Sequence, residues 1–405
     1  MTYFIYTWTN FGNFGGIQVL INNLADHECK LGNSFRLVGI QGNPNEFKYR
    51  SAYLNYFDKQ FESDLLSDIN ERKSNDHIII LSFNGASLAI SVLIQSILRR
   101  RGIASEIIVG VYHPRTFLFD IQRPLSSLLS ILLIRRLSAE SVYFMNYECR
   151  RRHTEGLGRQ FGRSRVIPLP VNDLGQSWKG SRVSGHIEVC SVGRISKLKG
   201  YNFASATIAR SLFQKGVDLS WEIFGAGEDE DRLIKHLEGQ DLVHFRGPIP
   251  NERFREIAKT ADLFVGMGTA AIQASQLGIP CVIAIEDSET ESYGFSFEAP
   301  KWNVGEREEG QPLKKISDVI EVYSQQSTEE RQQTSRKCRE WSKQFSSQEF
   351  YKSIFVLLRK SQNKKRSRRL THLALIYSWG LSTKSRGRRL GKKFMNILSL
   401  SQKST

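Results

Sequence analysis

Short runs of β-branched and other apolar residues alternate with longer stretches of helical periodicity along most of the chain. His77–Leu81 is an unbroken apolar run, typical of a strand that is covered on both faces of a sheet. Gly15–Leu31 instead spaces its apolar residues three and four apart, which predicts an amphipathic helix closed by Gly32. This alternation favours parallel, doubly wound α/β sheets. The first half is predicted to contain further strands at Thr2–Thr7, Phe35–Ile40, Glu106–Tyr112, Ser141–Met145 and Arg165–Pro168, and a helix at Ala86–Leu98.

The alternation stops at Pro170–His186, which is polar and rich in Gly and Ser, and then restarts. We therefore predict two domains of similar construction, residues 1–172 and 187–345, joined by a linker at 173–186. A C-terminal helix at 346–360 is expected to pack back on the N-terminal domain. The second half is predicted to contain strands at Ile187–Val192, Leu219–Phe224, Val243–Arg246, Asp262–Val265 and Cys281–Ile285, and helices at Tyr201–Lys215, Asp229–Leu237, Glu252–Thr260, Ala270–Leu277, Ile316–Gln325, Glu329–Gln344 and Gln348–Leu358.

The formal net charge of +16 lies almost wholly at the end of the chain. Residues 351–405 hold 15 Lys and Arg and no acidic residue, which leaves 42 basic and 41 acidic side chains in the rest. Within a basic tail at 361–405, the clusters Lys364–Arg369 and Lys384–Lys393 flank the apolar segment Leu370–Trp379. This pattern predicts peripheral contact with an anionic membrane surface. The alternatives are a solvated tail and RNA binding; no nucleic-acid-binding module accompanies the charge, so no nucleic-acid partner is expected.

Composition also excludes several classes of protein. No apolar run approaches the roughly 20 residues of a membrane-spanning helix. The N-terminus lacks the basic region and the cleavage site of a signal peptide. Five widely spaced cysteines without a CxxC pair predict free thiols in a reducing compartment. A Ser-His-Asp arrangement or an HExxH motif is not evident, so the sequence does not support a hydrolase.

Two loops of the second half each follow a predicted strand and contain glycine at the turn. After the first strand, Gly193 allows a turn, and Arg194 and Lys199 could together hold a diphosphate. The alternative is that both cations are solvated surface charges. After the next strand, Gly225 and Gly227 permit a close approach of ligand or backbone, although a plain turn explains them equally well.

A third loop lies within Phe264–Pro280, where a strand enters a Gly-x-Gly turn that ends at Gly268. Thr269 is predicted to cap the following helix. The free amides at this helix N-terminus, including that of Ala270, suit a phosphate. Gln273 lies one turn inside, where it could hydrogen-bond a hydroxyl group beside the phosphate. The alternative is an ordinary capped helix with an exposed glutamine.

Together these loops resemble the donor domain of the retaining, family 4-like (group 1) glycosyltransferases of the GT-B fold, over about residues 187–285. The resemblance implies two Rossmann-like doubly wound domains facing across a cleft. It also implies a nucleotide-diphosphate sugar as co-substrate, with no cofactor and no metal required. The residues that carry it are Gly193-Arg194, Lys199-Gly200, Gly225-x-Gly227, Phe245-Arg-Gly247 and Gln273-Ala-Ser-Gln-Leu-Gly-Ile-Pro280.

The first half is more loosely similar to the same family. Gly15 and Gly16, before the first helix, resemble the opening glycine loop that lies beneath the sugar diphosphate in relatives. His113 follows a predicted strand near the place where relatives have a histidine lining the cleft, although a lone histidine is more often structural. The resemblance thus implies catalytic roles for Arg194, Lys199 and His113. It implies donor binding by Gly15, Gly16, Gly193, Gly225, Gly227, Gly247, Gly268, Thr269, Ala270 and Gln273.

One departure from the family pattern affects how the donor sugar would be held. Relatives usually carry two glutamates eight positions apart, and here those positions are Val265 and Gln273. A weakened or inactive relative is therefore an open alternative. The acidic run Asp229-Glu-Asp231 has the spacing of a metal motif, but it precedes a predicted helix and is interpreted as helix N-terminal charge.

The function predicted from these features is transfer of a sugar from a nucleotide-diphosphate donor to a glycan or lipid-linked acceptor, in the assembly of bacterial surface polysaccharide such as O-antigen, capsule or exopolysaccharide. The expected location is the cytoplasm, at the cytoplasmic face of the inner membrane. Two alternatives stay open at this point. One is a nucleotide-sugar epimerase of the same fold, and the other is a non-catalytic GT-B scaffold recruited to membranes.

Overall fold

The computed structural model divides into two compact units. The first contains the described residues among 1–13, 24–167 and 351–405, and the second contains those among 14–23 and 168–350. The structure describes residues 2–9, 16–40, 49–70, 77–122, 124–175, 178, 180, 185–249, 253–257, 260–361 and 374.

The first unit is built on a seven-stranded sheet in which every pairing is parallel. Its elements are, in chain order, β1 (Thr2–Thr7), α1 (Gly16–Lys30), β2 (Ser34–Gly39), β3 (Tyr53–Asn55), α2 (Phe61–Asn70), β4 (His77–Ser82), α3 (Gly85–Arg100), β5 (Ser105–Val111), α4 (Pro124–Arg136), β6 (Val142–Phe144), α5 (Tyr147–Leu157) and β7 (Arg165–Val166). The strand order is β3-β2-β1-β4-β5-β6-β7. The first half of α1, to Asn23, groups with the second unit.

The centre of this sheet follows directly from its sequence. The apolar run of β4 is buried from Ile78 to Leu81, because helices cover such a strand on both faces. Helix α3 packs against β4 and β5 and is buried along most of its length. Its first turn is closed by a reciprocal cap, in which Asn84 accepts from the Ser87 amide at 2.8 Å and Ser87 Oγ accepts from the Asn84 amide at 3.0 Å.

The second unit contains another seven-stranded sheet, in the order β10-β9-β8-β11-β12-β13-β14. Its elements are β8 (Ile187–Val192), α6 (Tyr201–Gln214), β9 (Leu219–Phe224), α7 (Glu230–Leu237), β10 (Val243–Gly247), α8 (Phe254–Ile257), β11 (Leu263–Gly266), α9 (Thr269–Leu277), β12 (Cys281–Ala284), β13 (Glu291–Phe295), β14 (Lys314–Lys315), α10 (Ile316–Ser324) and α11 (Thr328–Ser342). The next helix, α12 (Ser347–Ser361), groups with the first unit from Tyr351 onward. Strands β8 to β12 pair in parallel, whereas β13 and β14 are antiparallel.

Strands β13 and β14 form an antiparallel edge that the sequence pattern did not predict. Strand β13 can turn back beside β12 because only six residues connect them, too few for the crossover that a parallel pair requires. Strand β14 is a two-residue exposed edge, and such a short strand leaves no periodic pattern in the sequence. The parallel α/β construction of both sheets is otherwise confirmed.

The basic tail predicted at 361–405 lies outside the described residues, apart from Ser361 and Ala374. Among the helices that the structure describes, none has the length and apolar character needed to cross a membrane. All five cysteines are free thiols; Cys29 is exposed and the other four are buried.

Candidate functional site

The carboxyl ends of β9, β8, β11 and β12 are neighbours at one edge of the second sheet, the edge where ligands bind in open α/β sheets. Backbone hydrogen bonds tie the loops after these strands to one another. The Ile195 amide donates to the Ala226 carbonyl at 3.0 Å, joining the loops after β8 and β9. The Asp287 amide donates to the Leu198 carbonyl at 3.0 Å, joining the loops after β12 and β8. The loops therefore form one surface with fixed mutual geometry.

Glycine is required at two points where these loops touch. A β-carbon on Gly225 would overlap the Gly193 carbonyl oxygen, and one on Gly227 would overlap that of Ile195. Gly225 also has φ of 149°, which side-chain-bearing residues rarely adopt. The sequence allowed either a ligand or another stretch of backbone to approach these glycines closely. The structure shows another stretch of backbone there.

Arg194 and Lys199 are brought together in the loop after β8. Arg194 is exposed and Lys199 is partly buried, with its ammonium so close to Gly193 that a β-carbon there would overlap it. Burial and the charge of Arg194 lower the pKa of Lys199 to about 8. In the described part of the chain, neither side chain makes an ion pair with a carboxylate. Two neighbouring cations without a carboxylate partner among the described residues are chemically suited to hold an anion.

The amino end of α9 supplies hydrogen-bond donors at the same edge, but its cap differs from the prediction. Thr269 is the first helical residue, and the capping position belongs to Gly268, whose φ of 69° lies in the left-handed region. Threonine cannot cap from that position, because the capping side chain must precede the helix. No side chain caps this end, and the amides of Thr269, Ala270 and Ala271 have no acceptor among the described residues. Three donors are therefore available to an anion.

Gln273 lies in the second turn of α9 and is only 8% exposed, so the alternative of an exposed glutamine is wrong. Val265 is fully buried in β11, and only Met267 and Gly268 separate β11 from α9. The position eight residues before Gln273 thus lies in the sheet and not in a loop.

Two buried carboxylates near this edge were missed by the sequence reasoning. Glu286 follows β12, and its amide donates to the Gly305 carbonyl at 2.8 Å. Glu306 is also buried and directly follows Gly305 in the chain. Gly305 packs against the loop before α9 so closely that a β-carbon on it would lie 2.7 Å from the Met267 side chain. The segment around Gly305 is distant in sequence from the glycine loops and carries no motif. Only the acidic residue directly after a predicted strand, Glu286, left a signal that could have been used.

The other residues predicted to bind the donor or to act in catalysis lie outside the loops described above. Gly15 lies outside the described residues, and Gly16 begins α1, where a β-carbon would lie 3.8 Å from Thr269 Oγ1. Gly247 ends β10, and its carbonyl accepts from the Gly225 amide at 2.9 Å. His113 follows β5 in the first unit, and its Nδ1 accepts from the Arg115 amide at 3.1 Å. That bond leaves Nε2 to carry the proton of the neutral ring.

Asp229 has a structural partner. Its Oδ2 accepts from the Lys197 amide at 2.8 Å, while Glu230 and Asp231 occupy the first turn of α7. Asp229 therefore stabilises the loop after β8. Glu230 and Asp231 stabilise the start of a helix, where negative charge is favourable.

Comparison with known proteins places this site within a recognised family domain. Residues 176–291, which include the loops after β8, β9, β11 and β12, match the family described as "Glycosyl transferases group 1". No curated protein sequence matches significantly.

Solved glycosyltransferases share the fold of the chain at low sequence identity. A variant of S. aureus TarM, in complex with fondaparinux, alpha-GlcNAc-glycerol and UDP, superposes with a TM-score of 0.60 at 11% identity, over 88% of this chain and 99% of its own. A glycosyltransferase from Rickettsia africae gives a TM-score of 0.59 at 12% identity, over 90% and 100%. The lipopolysaccharide outer core galactosyltransferase WaaB gives 0.54 at 12%, over 89% and 99%. The fold is GT-B, and residues 176–291 within it match the group 1 glycosyltransferase family.

Proposed function

We propose that the protein transfers a sugar from a nucleotide-diphosphate donor to a glycan or lipid-linked acceptor. The observation that carries this proposal is the pairing of two uncompensated cations, Arg194 and Lys199, with the uncapped amides of α9 at one sheet edge. A diphosphate matches both parts of this site, because it can accept several hydrogen bonds while its charge is neutralised. The family match over residues 176–291 spans the same loops.

The proposed chemistry is electrostatic. As the bond between the sugar anomeric carbon and the diphosphate oxygen breaks, negative charge grows on the leaving phosphate. Arg194, with bidentate geometry, and Lys199, as a point charge, would stabilise that charge together with the α9 amides. The loop contacts fix the backbone that carries these groups, which limits the reorganisation needed when substrate binds. We propose on this basis that transfer proceeds without a metal, and from the resemblance that it retains the anomeric configuration.

Recognition of the donor's sugar and ribose is assigned to groups near the phosphate. Gln273 would hydrogen-bond a ribose hydroxyl from the second turn of α9. Because Val265 is buried in β11, Glu286 is the proposed acidic acceptor for sugar hydroxyls in place of the missing glutamate. Gly16 and His113 would serve the reaction from the side of the acceptor.

The proposed setting is the assembly of bacterial surface polysaccharide. The names of the similar structures support it, since they include a lipopolysaccharide galactosyltransferase and a complex that holds UDP. The basic tail at 361–405 would hold the enzyme peripherally at the cytoplasmic face of the inner membrane, where lipid-linked acceptors are exposed.

A donor screen by mass spectrometry tests the proposed function. Purified full-length protein is incubated with UDP-, GDP- and ADP-sugars, with and without a lipid-linked oligosaccharide extract, in the presence of EDTA. We expect one donor to be consumed, with a glycosylated product formed only when the extract is present. Arg194→Ala should abolish product formation, whereas Lys197→Ala, which removes an exposed cation from the same loop, should not.

Other results of the same screen would overturn the proposal. An isomerised donor formed without acceptor would identify an epimerase. No change in any donor, with protein that still binds vesicles, would indicate a non-catalytic scaffold. Activity that is lost in EDTA and restored by a divalent cation would contradict metal-independent transfer.

A further inference from the structure

The first unit exposes four large apolar side chains within ten residues of the chain. Their exposed fractions are 63% for Phe119, 84% for Ile121, 65% for Leu125 and 47% for Leu128. We call these four residues the apolar patch. Single exposed apolar residues are ordinary on a protein surface, but a cluster of large ones marks a surface that meets another apolar phase.

The segment before the patch is held firmly, so the exposure does not result from a frayed loop. The Phe117 ring is buried although its backbone has a φ of 64°, which costs energy for a residue with a side chain. His153 of α5 hydrogen-bonds the Thr116 carbonyl through Nε2. Ser127 Oγ donates to the Asp120 carbonyl at 3.3 Å, which ties the loop to the first turns of α4. The fold thus presents Phe119 and Ile121 beside α4.

Helix α4 is apolar on its outer face as well as on its inner one. Leu129, Leu133 and Ile134 are buried in the first unit, whereas Leu125 and Leu128 face outward. The outward side of a surface helix is normally polar, so two large leucines there are unusual. In the described part of the chain, no apolar group buries them.

The charged residues around the apolar patch are mainly arginines, and they indicate what kind of surface the patch contacts. Arg115 precedes it, Arg135 and Arg136 end α4, and all three are exposed. Asp120 is the single acidic residue in the sequence 113–137, which contains four arginines. Large apolar side chains bordered by arginines match the boundary between the acyl chains and the headgroups of an anionic bilayer.

We propose that the first unit docks on an anionic membrane surface and inserts the apolar patch into the headgroup region. This contact is distinct from the basic tail, which lies outside the described residues, and from the donor site in the second unit. It does not require that the protein transfer sugar. Its test therefore has a result that is separate from any assay of activity.

An environment-sensitive probe tests insertion directly. In a Cys29→Ser background, which removes the one exposed thiol, Ile121→Cys of the full chain is labelled with a nitrobenzoxadiazole probe. The matched control is Phe213→Cys, at an exposed apolar position on α6. With phosphatidylglycerol-rich vesicles, we expect a blue shift and an intensity gain of about twofold or more at position 121, and neither at position 213.

A loss-of-affinity experiment completes the test. Phe119→Ser combined with Leu125→Ser should weaken vesicle affinity roughly 100-fold, about tenfold for each buried side chain. Phe213→Ser combined with Val322→Ser should leave it unchanged, and all variants should keep the thermal stability of the parent, because the substituted positions are exposed.

Three results would overturn the proposal. The first is a probe at position 121 that stays in water while the protein is bound to vesicles. The second is equal vesicle affinity of the patch variant and the parent. The third is a dimer, seen by sedimentation without vesicles, that the patch substitutions dissociate, because the patch would then be covered by a second copy of the chain.

Discussion

Lys199 shows how the proposed donor site is arranged at the level of a single residue. Its ammonium is partly buried beside Gly193, lies near the positive charge of Arg194, and has no carboxylate partner in the described part of the chain. Desolvation and like-charge repulsion both favour the neutral amine, and they lower its pKa to about 8. An anion placed between the two cations would relieve both effects. The residue is therefore adapted to a bound state more than to the free protein.

The first prediction concerns the pH dependence of nucleotide diphosphate binding. As pH rises through 8, the free protein loses the Lys199 charge that binding requires, so affinity should fall about tenfold between pH 7 and pH 9. Titration calorimetry at several pH values measures this. Lys199→Arg keeps its charge over the whole range and should flatten the profile; an equally steep profile in that variant would contradict the role of Lys199.

The second prediction is that Lys199→Met stabilises the free protein while it weakens diphosphate binding. A neutral side chain of similar length removes the unfavourable charge, for a gain of about 1–2 kcal/mol in the free energy of unfolding at pH 7. Because the pKa of Lys199 is lowered on folding from 10.5 to about 8, the gain is full below pH 8 and shrinks as pH rises toward 10.5. Urea denaturation at pH 7 and pH 10 measures it. A destabilised variant at pH 7 would show that Lys199 contributes to the fold instead.

At the scale of elements, the site depends on the close contact of the loops after β8 and β9. Gly225 is needed there for two reasons, its φ of 149° and its contact with the Gly193 carbonyl. Gly216, which follows α6, also has a positive φ of 85°, but it faces open space. These two glycines separate the effect of loop contact from that of backbone strain.

The third prediction compares alanine at these two positions. Gly225→Ala should lower the free energy of unfolding by about 2–4 kcal/mol and abolish diphosphate binding, because the new methyl group forces the two loops apart. Gly216→Ala should cost only about 1 kcal/mol and leave binding intact. Thermal melts and calorimetry check both variants. Normal binding by folded Gly225→Ala protein would show that the loop contact does not shape the site.

The elements that sequence patterns predicted well are those with a strong period. Strands β8 and β9 have the predicted bounds, because a buried strand between glycine turns is unambiguous. Helix α4 was missed because its apolar residues face every direction and leave no helical period. The apolar residues on its outer face are those that we propose to contact a membrane.

Prediction of the site was limited by contacts between distant segments. The glycine turns and the Arg194–Lys199 pair are local features, and the sequence indicates their types and spacing. The predicted cap by Thr269 was wrong because Gly268, with a φ of 69°, already occupies the capping position. Glu306 was not foreseen, since its segment lies near this edge only through the packing of Gly305 against Met267.

At the scale of the whole molecule, charge and apolar surface are divided among different regions. The chain outside residues 351–405 carries nearly equal numbers of basic and acidic side chains. The tail at 361–405 holds 12 basic residues and no acidic ones, and the apolar patch lies on the first unit. We expect the tail to provide long-range attraction to a membrane and the patch to provide insertion.

The fourth prediction tests this division by deletion of residues 361–405. Because each cation near an anionic surface contributes about 1 kcal/mol, vesicle affinity at low salt should fall by at least roughly 100-fold. The remaining affinity should depend weakly on salt, since insertion of the patch is apolar. Vesicle sedimentation over a series of salt concentrations measures both effects. Unchanged affinity and salt dependence after deletion would exclude the tail from membrane binding.

The central claim, that the sheet edge of the second unit binds a nucleotide diphosphate, is tested most directly by calorimetric titration with UDP, GDP and ADP. We predict that at least one of them binds, that Arg194→Ala and Lys199→Ala each weaken it about tenfold or more, and that Lys197→Ala does not. Failure of all three nucleotides to bind, or equal weakening by Lys197→Ala, would contradict the account.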